Sequence, residues 1–234
     1  MEIHKNLLYF DIETTSEYPN LSEFKDLNER GYKLFVKKHQ RKLISDKQWF
    51  KDVENEYIDK SALLPEYGKI VCISFGYFTN DKFTLKSFIG DEKEILNNSK
   101  VVFNNAYKNA FRICGYNIKQ FDIPYINKRM LKLNIDVPFN ISFIKVEGNA
   151  KKTWDYDAVD LFEIWQATNF GGGATFDEVC YHLNVESPKT ELSGDKVYET
   201  FWIKNDIAKI ARYCESDVKS TMFCAEKIFK IKNE

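Results

Sequence analysis

Asn6-Leu7-Leu8-Tyr9-Phe10-Asp11-Ile12-Glu13-Thr14 opens the chain with an apolar run that ends in two acids. Residues 6–12 have strand length and no alternation, the pattern of a strand covered on both faces. Asp11 falls near the end of that strand, where a side chain can reach a cleft. Two further stretches share this character. Gly115-Tyr116-Asn117-Ile118-Lys119-Gln120-Phe121-Asp122 ends in an acid, and Tyr213-Cys214-Glu215-Ser216-Asp217 lies near the C-terminus. Asp11, Glu13, Asp122 and Asp217 are carboxylates from three separated segments. Such a set suits hard divalent cations such as Mg²⁺ or Mn²⁺, which prefer oxygen ligands. Two such ions about 4 Å apart stabilise the attacking and leaving oxygens of a phosphoryl displacement.

Composition bounds the rest. The chain has 234 residues, 44% hydrophobic and 15% aromatic, enough for a sizeable core in one domain with an insertion at about 17–64. No apolar run approaches the roughly 20 residues of a membrane span. Met-Glu-Ile-His-Lys lacks the pattern of a signal peptide, so a cytoplasmic location is expected. Cys72, Cys114, Cys180, Cys214 and Cys224 are scattered and form no CxxC pair, so they read as reduced core thiols. Net charge is −1, without the bulk basicity of many nucleic-acid binders. Lys33, Lys37, Lys38, Arg41, Lys42 and Lys47 form one basic stretch; Lys128, Arg129 and Lys132 form another. Either can contact phosphates, although a solvated helix face is the plainer reading of each.

Spaced apolar residues within the polar segment 20–60 predict two or three amphipathic helices. Lys69–Phe78 and Lys82–Ile89 predict a hairpin turning at Thr79-Asn80-Asp81. A helix is expected over 91–108, a short strand over 110–114, and a helix from Asp122 with Pro124 in its first turn. The last strand is expected over Asp157–Ile164. Gly171-Gly172-Gly173 reads as a flexible turn, and Thr175-Phe176-Asp177-Glu178 as a capping box. Ser187-Pro188-Lys189 is expected to open a helix that could offer Lys189 to a phosphate. His182 reads as structural, and Asp160 as a residue supporting the site. The final helix starts near Asp206, and its four-residue spacing puts Tyr213 and Asp217 on one face.

In this order and context the motifs resemble those of the DEDD 3′–5′ exonuclease superfamily, in its tyrosine-containing branch. More narrowly, the chain is similar to the proofreading exonuclease domain of family B DNA polymerases, as a stand-alone exonuclease. Gly68-Lys69-Ile70-Val71-Cys72-Ile73-Ser74 adds to the likeness, and Arg212 stands where the histidine branch would place its histidine. The resemblance implies a ribonuclease H-like α/β fold: a central mixed five-stranded sheet with helices on both sides. It implies two metal ions held by Asp11, Glu13, Asp122 and Asp217, with Asp11 bridging them and Tyr213 orienting the attacking water. It also implies that Asn117 and Phe121 meet a single-stranded 3′ end. Thr14, Tyr116 and Lys189 complete the candidate substrate contacts, Tyr116 by stacking on terminal bases.

The expected activity is metal-dependent 3′–5′ hydrolysis of single-stranded DNA. An RNA-trimming exonuclease of the same fold differs only in what meets the 2′-hydroxyl. A non-catalytic binding module or polymerase accessory has no need of four mutually repelling acids. A transposase-like nuclease usually lacks the paired Asp-x-Glu on the first strand.

Overall fold

A computed structural model describes residues 3–45, 53–167, 173–187 and 192–230, with the side chains of 40–45 left out. The first strand, β1 (Leu7–Ser16), is longer than its apolar run. Three helices follow it: α1 (Leu21–Leu27), α2 (Glu29–Ser45) and α3 (Val53–Lys60). The hairpin β2 (Gly68–Thr79) and β3 (Lys82–Ile89) comes next. Asn80 and Asp81 both take positive φ at its turn, as the twist of a two-residue hairpin connection requires. Then come α4 (Glu92–Lys108), capped by Asp91, the short β4 (Arg112–Gly115) and α5 (Asp122–Lys132).

The expected strand over Asp157–Ile164 is corrected. Only β5 (Ala158–Asp160) is extended, and α6 (Leu161–Gln166) begins at once. The Asp160 carboxylate accepts the Phe162 amide and caps the helix, ending the strand. Next, α7 (Phe176–His182) carries the expected capping box of Thr175 and Glu178. The long α8 (Ile207–Ile228) is capped by Asp206 and closes the fold. Among the described residues no helix is long and apolar enough to cross a membrane. All five cysteines are free and buried. Gly171, Gly172, Pro188 and Lys189 lie outside the described residues.

The sheet order is β3-β2-β1-β4-β5. β1 runs antiparallel to β2 and parallel to β4, and β4 runs parallel to β5. This is the mixed five-stranded, helix-flanked sheet of the ribonuclease H-like class. Strand alternation divides β1 between two cores. Leu8, Phe10 and Ile12 join the cluster under α4 and α5, which holds Phe75, Leu96, Phe103, Ile123, Ile126 and Met130. Leu7 and Tyr9 face the other way, into a cluster with Val218, Met222 and Ala225 of α8. Asp11 and Glu13 continue that second row, so the acids share the α8 face. The three inserted helices have their own aromatic centre of Phe24, Phe35, Tyr57 and Tyr67.

Candidate active site

The cleft arises where parallel strands part. β4 pairs with β1 only from Leu7 to Tyr9 and then turns away at Gly115. Beyond Tyr9 the β4 side of β1 is therefore open, a crevice at the carboxyl ends of parallel strands. Asp11 is the single residue of β1 that is not buried. A register shift between Glu13 and Thr14 leaves Val71 of β2 without a partner in β1. Such bulges bend a strand and occur beside functional sites.

Asp122 enters the crevice as the first residue of α5. The turn that delivers it is tightly specified. A Cβ on Gly115 would lie 2.2 Å from Ile118 Cγ2 and 3.0 Å from the Phe10 carbonyl oxygen. Asn117 has φ of 61°, which asparagine tolerates. The Asn117 amide donates to Asp160 Oδ1 at 2.8 Å and the Lys119 amide to Oδ2 at 3.0 Å. Asp160, also bonded to Phe162, thus braces the β4–α5 turn, and Lys119 pairs with Glu163 at 2.7 Å.

From the other side, α8 brings Tyr213, Cys214 and Asp217. Tyr213 and Asp217 share one helical face, are nearly buried, and hydrogen-bond to each other. The Cys214 thiol donates to Asp11 at 3.4 Å, to both the carbonyl oxygen and Oδ2. Sequence reasoning treated Cys214 only as a core thiol; its place directly after Tyr213 was the available signal. A hydroxyl chain fixes α8 on the sheet: Ser74 meets Ser87 at 2.9 Å, and Ser87 donates to Glu215 at 2.5 Å.

The electrostatics are strained in one direction. Burial, then the charges of Asp217 and Asp122, push the Asp11 carboxyl well above its ordinary pKa. Burial, then Asp11 and Asp217, do the same to Glu13. Asp122 is pushed up to about 7, chiefly by burial, although hydrogen bonds from its own amide and from Ile12 pull it back. Burial and the Asp217 charge raise the Tyr213 hydroxyl far enough that it stays protonated at neutral pH. Like charges that repel in a buried cleft are a signature of a functional site.

The donor set fits a hard divalent cation. Single ligand atoms of Asp11, Glu13 and Cys214 all lie within 4.8 Å of one another. Asp217 and Asp122 lie outside that tightest group, yet both act on the Asp11 charge. Four carboxylates in one crevice supply the oxygen ligands that such ions prefer.

The candidate substrate residues are placed less uniformly. Thr14 is buried just past Glu13. Asn117 lies in the β4–α5 turn, and its Oδ1 is buried without a hydrogen-bond partner among the described residues. Phe121 is half-buried against Tyr125, their ring centroids 5.5 Å apart. Tyr116 is engaged elsewhere: its hydroxyl donates to the Ala174 carbonyl and its ring packs on Phe162 and Phe176. His182 packs edge-on against Trp165.

An α/β fold with this strand order and helices on both sides of the sheet defines the ribonuclease H-like class. Residues 62–232 match a family described as "Predicted 3'-5' exonuclease related to the exonuclease domain of PolB". The chain belongs to that family. The matched span begins after β1. A DNA polymerase of Archaeoglobus fulgidus is 24% identical over 172 residues, which is 73% of this chain and 21% of that protein. The solved family B DNA polymerase of Pyrobaculum calidifontis superposes with a TM-score of 0.58 at 21% identity, over 95% of this chain and 24% of that one. The chain thus spans about a fifth to a quarter of the length of these relatives, and the structural likeness bears on the fold.

Proposed function

We propose that this protein is a metal-dependent 3′–5′ exonuclease that hydrolyses single-stranded DNA from its 3′ end with two divalent ions, Mg²⁺ or Mn²⁺. The observation that carries the reading is the meeting of Asp11 and Glu13 from β1, Asp122 from α5 and Tyr213 and Asp217 from α8 in one crevice. Asp11, Glu13, Asp122 and Asp217 would hold the ions. Bound cations supply charge neutralisation for the phosphodiester displacement and lower the pKa of the attacking water.

The protein's own residues do the positioning. The Cys214 thiol bonds to Asp11 and fixes the orientation of that carboxylate. A tyrosine hydroxyl with an ordinary pKa of about 10 is a poor base, so Tyr213 would orient a water. Asn117, on a turn braced by Asp160, would meet the terminal nucleotide. Phe121 would offer a ring edge to a terminal base, and Thr14 a hydroxyl beside Glu13. Tyr116 has its hydroxyl occupied and acts through packing.

The test is a time course on 5′-labelled single-stranded DNA with Mg²⁺, Mn²⁺ or EDTA, beside Asp11→Ala. A ladder that shortens from the 3′ end, absent with EDTA and in the variant, is the expected result. Intact DNA with cleaved RNA would transfer the reading to an exoribonuclease. Binding of both without cleavage would leave a non-catalytic module.

A further inference from the structure

The charge of this chain is unevenly placed. Helix α2 has six Lys and Arg residues and one Glu, a net charge of +5 in a chain whose total is −1. The rest of the molecule is therefore net acidic, and α2 is its positive pole. The helix is amphipathic. Phe35 and His39 are buried, Phe35 within the aromatic centre of the insertion. Arg30, Lys33, Leu34, Lys37 and Lys38 are exposed. Arg30 and Lys37 are seven residues apart, two turns along one face, with Lys33 and Leu34 between them. Lys33 pairs with Glu29, both exposed, a contact worth little in water. Among the described residues, no carboxylate pairs with Arg30 or Lys37.

The insertion that carries this positive stripe is anchored at both ends beside the proposed catalytic crevice. The insertion begins at the end of β1, and Ser16 is three residues beyond Glu13, about 10 Å along a strand. The Trp202 indole N–H donates to the Ser16 carbonyl at 3.2 Å and hydroxyl at 3.1 Å. The Tyr198 hydroxyl donates to the Pro19 carbonyl. Both partners lie in or next to the π-helical turn Glu199–Ile203, which leads into α8. Buried Arg129 of α5 bonds to the Pro65 carbonyl at 3.0 Å and lies 3.7 Å from Glu17. β1, which carries Glu13, α5, which carries Asp122, and the turn that leads into α8 thus hold both ends of the insertion.

We infer that α2 is a second nucleic-acid contact: its Arg30–Lys37–Lys38 stripe binds backbone phosphates of the strand upstream of the 3′ terminus in the crevice. This inference rests on the exonuclease reading and gives the helical insertion its role. Phosphate contacts of this kind hold a strand without reading sequence. A membrane surface fits less well, because the apolar face that would enter lipid is already buried against Phe24, Tyr57 and Tyr67. At roughly 1.5 Å per residue α2 is about 26 Å long, enough for several phosphates of an extended strand.

The test uses the Asp11→Ala protein, which binds without cutting, and its R30A/K37A/K38A derivative. Fluorescence anisotropy would measure binding of a labelled tetranucleotide and of a single strand of about 20 nucleotides, over a range of salt. Circular dichroism would check that the derivative folds. The expected result is a loss of tenfold or more for the long strand and none for the tetranucleotide. The slope of log affinity against log salt should fall by about 0.7 for each phosphate contact removed. An unchanged slope for the long strand, or equal losses at both lengths, would overturn the inference. Anionic vesicles bound by the parent and not by the derivative, with DNA binding unaltered, would also overturn it in favour of a membrane contact. Hydrolysis by the wild-type protein is scored separately, so a failed nuclease assay with length-dependent binding intact would sink the exonuclease reading and leave the stripe standing.

Discussion

Two buried charge clusters sit on neighbouring elements and differ in sign balance. Around Arg129, the most voluminous fully buried side chain, charges alternate. Its guanidinium donates to both oxygens of Glu92, at 2.8 and 2.5 Å. Glu92 also accepts the Ile70 amide at 2.8 Å, and Glu17 is held by Lys132 at 2.6 Å. Burial pulls the Arg129 pKa down, yet the bonds and charge of Glu92 carry it above its ordinary value. In the crevice the four carboxyl groups have no basic partner among the charges that act on Asp11 and Glu13, and burial and mutual repulsion push the same way. The first cluster is complete as it stands and ties α4, α5, β2 and the insertion together. On the proposed function the second would be completed by cations, so the same type of group would be structural in one place and catalytic in the other.

The largest expected effect of breaking this contrast is on catalysis. Asp217→Ala should fold and lose hydrolysis by more than about 10³-fold, since it removes several kcal/mol of charge stabilisation. Full activity would remove Asp217 from the proposed site. Tyr213→Phe should keep measurable turnover, with a loss no greater than about 10²–10⁴, because it deletes a positioning hydroxyl and no ligand. A larger loss would give Tyr213 a role in proton transfer.

On the structural side, Arg129→Ala strands Glu92 in the interior and should cost about 3–5 kcal/mol. For a chain of this size that lowers Tm by roughly 6–20 °C in a thermal melt. Replacing Arg129 and Glu92 together with apolar residues should recover much of the loss; an equal loss would mean that geometry, and not charge, is what Arg129 supplies.

The smallest effect concerns pH. Burial pushes the Asp122 carboxyl up to about 7 from an ordinary 3.8, and Asp11 and Glu13 are raised too. Between about pH 4 and 7 the folded state thus holds protons that the unfolded state has released. Stability in EDTA should therefore fall by a few degrees in Tm as pH rises through that window. Mg²⁺ or Mn²⁺ should reverse the fall above pH 7. A flat profile in EDTA would mean that neither burial nor repulsion raises these carboxyl groups.

Much of this was legible in the chain. The apolar run before Asp11 marked a central strand, Asn80-Asp81 marked a hairpin, and the spacing of Tyr213 and Asp217 put both on one face of α8. These are local signals, readable within a few residues because helix and strand periods are fixed by backbone geometry. The helix after Asp160 was missed because an N-cap made by a strand-end acid looks like the acidic end of a longer strand. Arg129 was counted among basic surface residues, since nothing local distinguishes a lysine-like surface charge from one whose partners lie 37 and 112 positions away along the chain.

The sequence by itself determined most of the elements, though not α6, and which acids stand at their ends. Only the tertiary structure decided that β1 and β4 part after Tyr9, that α5 and α8 bring Asp122 and Asp217 to Asp11, and that Cys214 bonds to that same carboxylate. The reason is physical. Elements follow from local backbone preference, but the state of a charge follows from everything packed around it, and those neighbours come from crossovers tens of residues long.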